Sequence, residues 1–147
     1  MNTGRGLQLN DFSILATDIS ATALRAATVG VYPLRDVARG LAPMQQSRYG
    51  EPVAEGWRVA EPIRRLVEFR RFNLMESFAA LGCFDVIFCR NVLIYFDEPT
   101  RRRLVEQMRA MLPPHGCLIL GAAENLYGIS ASFESRRVGD TLVYRPS

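Results

Sequence analysis

Two hydrophobic patterns alternate along the chain: short unbroken apolar runs and longer stretches with helical spacing. Ser13-Ile-Leu-Ala-Thr-Asp18 is an apolar run that ends in an acid, as a buried parallel strand would. Ser20 then stands before a string of good helix formers, Ala21 to Ala27, closed by Gly30, which predicts cap, helix and stop. Residues 31–56 have little period and several breakers (Pro33, Gly40, Pro43, Gly50, Pro52, Gly56), so they read as irregular. Trp57-Arg-Val-Ala60 and Leu66-Val-Glu-Phe-Arg-Arg-Phe72 alternate as strands do.

The second half is cleaner. Phe84-Asp-Val-Ile-Phe-Cys89 is a continuous apolar strand. Asp97-Glu98-Pro99 opens a helix, with Asp97 as cap and Pro99 in the first turn. Leu104, Met108, Met111 and Leu112 fall at i, i+4, i+7 and i+8, one buried face. Pro113-Pro114-His115-Gly116 stops that helix, and Cys117-Leu-Ile-Leu-Gly121 follows as a buried strand. Phe133 to Val138 and Thr141 to Arg145 straddle Gly139-Asp140, a terminal hairpin. This order of elements implies an α/β fold with a largely parallel sheet.

Composition narrows the class. With 147 residues, 48% hydrophobic and 22% charged, the chain suits one globular domain and excludes a disordered or collagen-like one. No apolar run reaches a membrane span and none of signal-peptide length follows Met1, so a cytoplasmic protein without membrane insertion is expected. Cys83, Cys89 and Cys117 match no metal or redox spacing and read as reduced core thiols. The net charge is +3, and all 18 basic residues are arginine, scattered in pairs and one triplet. Without a basic stripe interleaved with aromatics, a nucleic-acid surface is not indicated.

In open parallel sheets ligands sit beyond the carboxyl ends of the strands. Four such ends carry polar groups here: Asp18, Asn73, Arg90-Asn91 and Glu124-Asn125. Asp18 either caps the following helix or accepts hydrogen bonds from the ribose hydroxyls of a nucleotide-like cofactor. Arg90, directly after an apolar strand, either pairs with Asp85 or Asp97 or meets a carboxylate of a ligand. Tyr95 lies near the same crevice, or is an amphipathic core tyrosine. His115, the single histidine, sits in a turn; with no HExxH pair and no GxSxG element, zinc and serine-hydrolase chemistry lack their residues, and no metal is expected. Gly4-Arg5-Gly6 lacks phosphate-loop spacing.

Three strings then resemble one family: Ile14-Leu-Ala-Thr-Asp-Ile-Ser20, Phe69-Arg-Arg-Phe-Asn-Leu74 and, above all, Phe84-Asp-Val-Ile-Phe-Cys-Arg-Asn-Val-Leu-Ile-Tyr-Phe-Asp97. They look like the CheR family of S-adenosylmethionine-dependent chemotaxis methyltransferases, over residues 13–145. The resemblance implies a Rossmann-like methyltransferase sheet with a terminal hairpin and a small inserted β-subdomain near residues 50–69. It implies methyl transfer from S-adenosylmethionine to glutamate side chains of methyl-accepting chemoreceptors, leaving S-adenosylhomocysteine. Carried over by position, Asp18 would hold the ribose, Asn73 and Leu74 the adenine, and Arg90 and Asn91 the methionyl and reacting end. Tyr95 would stand close to the transferred methyl.

Two departures accompany the likeness. The family's His-Ser pair before Glu-Asn is replaced by Ala122-Ala123. The family also has a first strand and a Gly-rich turn that cradle the cofactor, and residues 1–12 hold no such unit. The resemblance therefore implies a catalytic domain truncated at its N-terminus, with an unpaired sheet edge that would favour a strand-swapped homodimer. The alternative reading keeps the fold as a non-catalytic regulatory or interaction module.

Overall fold

A computed structural model describes residue 6 and residues 8–147. The reading of Gly4-Arg5-Gly6 falls mostly on residues outside that set. The chain divides into two compact units, Met1–Asn73 and Leu74–Ser147.

In the first unit, β1 (Ile14–Asp18) pairs in parallel with β5 (Val67–Arg71), placing Asp18 opposite Arg71. Between them, α1 (Ala21–Val29) starts where the Ser20 side chain accepts from the Ala23 N–H at 3.2 Å. It stops at Gly30, whose φ of 67° is the left-handed turn glycine accommodates without strain. A three-stranded antiparallel sheet follows, ordered β2 (Val31–Tyr32), β4 (Gly56–Val59), β3 (Gly50–Val53). The small antiparallel sheet expected near residues 50–69 thus takes in Val31–Tyr32, while Val67–Arg71 belongs to the parallel pair.

The stretch read as irregular contains two helices, α2 (Leu34–Gly40) and α3 (Pro43–Tyr49), before the short α4 (Glu61–Arg64). The breakers are punctuation: Pro33 precedes α2, Gly40 ends it, and Pro43 opens α3, where a missing N–H costs nothing. Trp57 anchors this unit. It is 5% exposed, and its indole N–H donates to the Gln46 carbonyl of α3 at 3.2 Å.

In the second unit, a four-stranded mixed sheet runs β6 (Val86–Cys89), β7 (Cys117–Leu120), β9 (Thr141–Pro146), β8 (Phe133–Val138). β6 and β7 are parallel, and β8–β9 is the hairpin expected around Gly139-Asp140. Helix α5 (Glu98–Ala110) starts as its sequence dictates, with the Asp97 carboxylate accepting from the Thr100 N–H at 3.1 Å. Leu104 and Val105 are fully enclosed, and Met108, Met111 and Leu112 are buried on the same helix and its exit. Arg102 ties α5 to the loop before β8 through the Ile129 and Gly128 carbonyls, at 2.6 and 3.0 Å.

β6 is less enclosed than its apolar sequence predicts. On one side Ile87 is half-buried and Cys89 buried, whereas Val86 and Phe88 point to the other and are exposed, Phe88 to 69%. Among the described residues, β6 is hydrogen-bonded only to β7 and β1 only to β5. The cysteines divide similarly: Cys89 is buried and Cys117 half-buried, but Cys83 is exposed and is not a core thiol. No helix among the described residues is long and apolar enough to cross a membrane.

Candidate functional site

Each site residue predicted from sequence lies at or just beyond a strand end except Tyr95, which closes a 3₁₀ turn further on. Asp18 closes β1 and is exposed. Its Oδ1 accepts from the Ser20 N–H at 2.7 Å in a local turn, the cap of α1 being Ser20 and not Asp18, and no described protein donor reaches Oδ2. Asn73 and Leu74 follow β5 in a half-buried turn. These residues belong to the first unit and its boundary; Arg90, Asn91 and Tyr95 belong to the second.

Beyond β6 the chain turns sharply. Asn91 has φ 57°, the only non-glycine residue described in the left-handed region, where asparagine is among the few residues tolerated. A short 3₁₀ turn, Leu93–Tyr95, follows and leads to the Asp97 cap of α5. Arg90 forms no ion pair with Asp85 or Asp97. Asp85 contacts His115 at 3.1 Å, and Asp97 is engaged as a cap. The cost of a buried charge expected at Arg90 does not arise, because its guanidinium is exposed. Tyr95 is 80% exposed, so it is not a core tyrosine.

The residue that organises this turn is Glu124, noted in the sequence only as a polar strand end. It is the one buried charged side chain described, 9% exposed. Its Oε1 accepts from the N–H groups of Val92, Leu93 and Ile94 at 2.9, 2.8 and 3.3 Å. Its Oε2 accepts from Asn91 at 2.6 Å and from Gly121 at 2.8 Å. Burial pushes the carboxyl's pKa up, but these backbone donors outweigh it and hold the group below its ordinary value. The same burial, with Glu124's charge nearby, pushes the Cys89 thiol up to about 12 and keeps it protonated. Gly121 makes the approach possible, since a Cβ there would collide with Asn91 Oδ1 and lie 2.7 Å from Glu124 Oε2. Next to Glu124 lies a cleft of about 260 Å³ walled by Ile94, Arg101, Asn125 and Tyr127; Arg90 and Tyr95 are not part of its wall.

Sequence could have hinted at Glu124, because an acid three residues beyond a strand-ending glycine is well placed to turn back. Four of its five donors, however, lie thirty or more residues away in the chain.

The fold is that of S-adenosylmethionine-dependent methyltransferases. It superposes with TM-score 0.52 and 15% identity, over 92% of this chain and 67% of the other, on the N-methyltransferase NodS of Bradyrhizobium japonicum in complex with S-adenosylhomocysteine. Within that class, residues 2–140 match the family described as CheR methyltransferase, SAM binding domain, and the chain belongs to this family. It is 44% identical over 138 residues to chemotaxis protein methyltransferase 1 of Vibrio cholerae, covering 93% of this chain and 50% of that protein. It is 45% identical over 138 residues to chemotaxis protein methyltransferase 2 of Pseudomonas aeruginosa, covering 91% and 48%. The chain spans about half the length of the curated relatives it matches. S-adenosylmethionine, the expected cofactor, is the ligand by which this domain family is described.

Proposed function

We propose that the chain takes part in methyl transfer from S-adenosylmethionine to glutamate side chains on the cytoplasmic domain of methyl-accepting chemoreceptors, giving glutamate methyl esters. The observation that carries this reading is the turn after β6. There an exposed, unpaired Arg90 and an exposed Tyr95 flank a backbone segment pinned from below by Glu124.

Each unit holds residues that the family resemblance assigns to the cofactor. Asp18 has a carboxylate oxygen that no donor among the described residues reaches, which is assigned to a ribose hydroxyl, and Asn73 and Leu74, beyond the end of the neighbouring strand, are assigned to the adenine. Arg90 and Asn91 are assigned to the methionyl and reacting end. The bound cofactor supplies an activated methyl group on a sulfonium centre. A receptor glutamate, with a reference pKa of about 4.3, is already an anion at neutral pH, so the reaction needs no general base. The protein's task is alignment and exclusion of water. Arg90 is free to grip the incoming carboxylate bidentately, and Tyr95 offers a ring face that tolerates positive charge. His115, held by Asp85, is assigned no part.

This reading places the protein in the cytoplasm beside its receptor. Among the described residues β1 and β6 each have an edge with no paired strand, and this, with Val86 and Phe88 uncovered, supports a strand-exchanged homodimer as its assembly. Calorimetric titration with S-adenosylhomocysteine tests the cofactor assignment. A saturable isotherm that Asp18→Ala weakens about tenfold is expected, as for a lost charge-assisted hydrogen bond. Binding indifferent to Asp18 would remove that residue from the site.

A further inference from the structure

We propose that Glu124 is the positioning residue of this site: its ionised carboxylate fixes the backbone path that presents Arg90, Asn91 and Tyr95. The inference rests on the methyltransferase reading for what the turn presents, but its geometry stands independently.

The turn has a satisfaction problem. β6 ends at Cys89, and beyond Arg90 the four N–H groups from Asn91 to Ile94 have no strand or helix partner of their own. Leu93 is buried, so water is a poor substitute there. A single carboxylate meets all four, and it also takes the Gly121 N–H at the end of β7. Five donors on two oxygens require an acceptor with no hydrogen of its own, which among side chains only an ionised carboxylate supplies at this density. Glutamine has the same shape and the opposite defect. Either orientation of its amide points an N–H₂ group at backbone N–H groups, facing two donors or three.

The clamp reaches outward through Asn91. Its N–H gives the shortest bond of the five, its φ of 57° is sustained by that anchoring, and it lies between Arg90 and the turn that carries Tyr95. Glu124 touches no reacting atom and acts through these neighbours. Gly121 is the steric counterpart, leaving the space into which the carboxylate and the Asn91 amide fit.

Amide hydrogen exchange tests the clamp without any ligand. In the unaltered protein, the amides of residues 91–94 and of Gly121 should exchange at least tenfold more slowly than those of Ala122 and Ala123 in the neighbouring exposed turn. In Glu124→Gln, the five should lose about ten- to a hundredfold of protection, the scale of hydrogen bonds to a charged acceptor. Leu104 and Val105 in α5 should stay within about twofold, which separates a local clamp from general destabilisation. Affinity for S-adenosylhomocysteine then gives the functional side. If Glu124 works through Arg90, the losses in Glu124→Gln and Arg90→Ala are non-additive in the double variant.

Fast exchange at residues 91–94 in the unaltered protein overturns the clamp, even if Glu124→Gln fails to fold. Unchanged protection in a folded Glu124→Gln does so as well, and strictly additive affinity losses overturn the positioning role. Absence of methyl transfer with the exchange pattern intact would instead count against the proposed reaction and leave the clamp standing.

Discussion

Asn91 has two roles that a substitution can separate. Its backbone needs a residue tolerant of positive φ, and its side chain, proposed to serve the methionyl end of the cofactor, has its Oδ1 packed beside Gly121. Asn91→Ala should cost about 1 kcal/mol in stability from the left-handed backbone alone. Asn91→Gly relieves the backbone, so any fall in S-adenosylhomocysteine affinity in that variant belongs to the side chain; thermal melts and calorimetry read the two effects apart. Arg90 offers the complementary case. Being exposed and unpaired, it should change stability by no more than about 0.5 kcal/mol when replaced by alanine. Methyl transfer should nevertheless fall at least about tenfold, and Arg90→Lys should rescue little, because an ammonium cannot reproduce the bidentate fork. Sequence made these exposed residues legible because polar groups at strand ends stand out against apolar runs. It left Glu124's role hidden, because the donors it satisfies are backbone groups, which carry no residue signature.

The elements that were legible are those whose caps and periods agree. Helix α5 has an acidic cap, a proline in its first turn and a regular apolar face, and each feature appears where its physics requires. Its core should be correspondingly sensitive: Leu104→Ala, at a fully enclosed position, should cost about 2–5 kcal/mol in denaturant unfolding. Its cap should titrate. The hydroxyl and N–H of Thr100, with Arg101's charge behind them, hold Asp97 below its ordinary pKa in the folded state. Its support is therefore present above the carboxylate range and lost as pH falls through the lowered value. Asp97→Ala should destabilise the protein at pH 7, and the gap to the parent should narrow in acid, as followed by circular dichroism. Helices α2 and α3 escaped the sequence reading because a proline that opens a helix and a glycine that closes one look, in one dimension, like a break between nothing and nothing. β6 escaped in a different way. Its apolar run predicted burial on both faces, and only the fold reveals that Val86 and Phe88 are uncovered.

For the molecule as a whole, sheet edges and surface chemistry matter more than any single contact. β1 and β6 each lack a hydrogen-bonded neighbour on one side among the described residues, and an exposed strand edge with apolar side chains invites pairing. Light-scattering chromatography over a range of concentrations should therefore show a dimer that Phe88→Glu weakens; a strict monomer throughout would exclude strand exchange. The central claim is chemical. Its direct test incubates the chain with methyl-labelled S-adenosylmethionine and the cytoplasmic fragment of a methyl-accepting chemoreceptor, with the Vibrio cholerae relative as parallel control. The account predicts alkali-labile label on receptor glutamates that disappears in Arg90→Ala. Alkali-stable label, or no label from this chain on a fragment that the relative does modify, would contradict it and leave a methyltransferase fold serving a non-catalytic role.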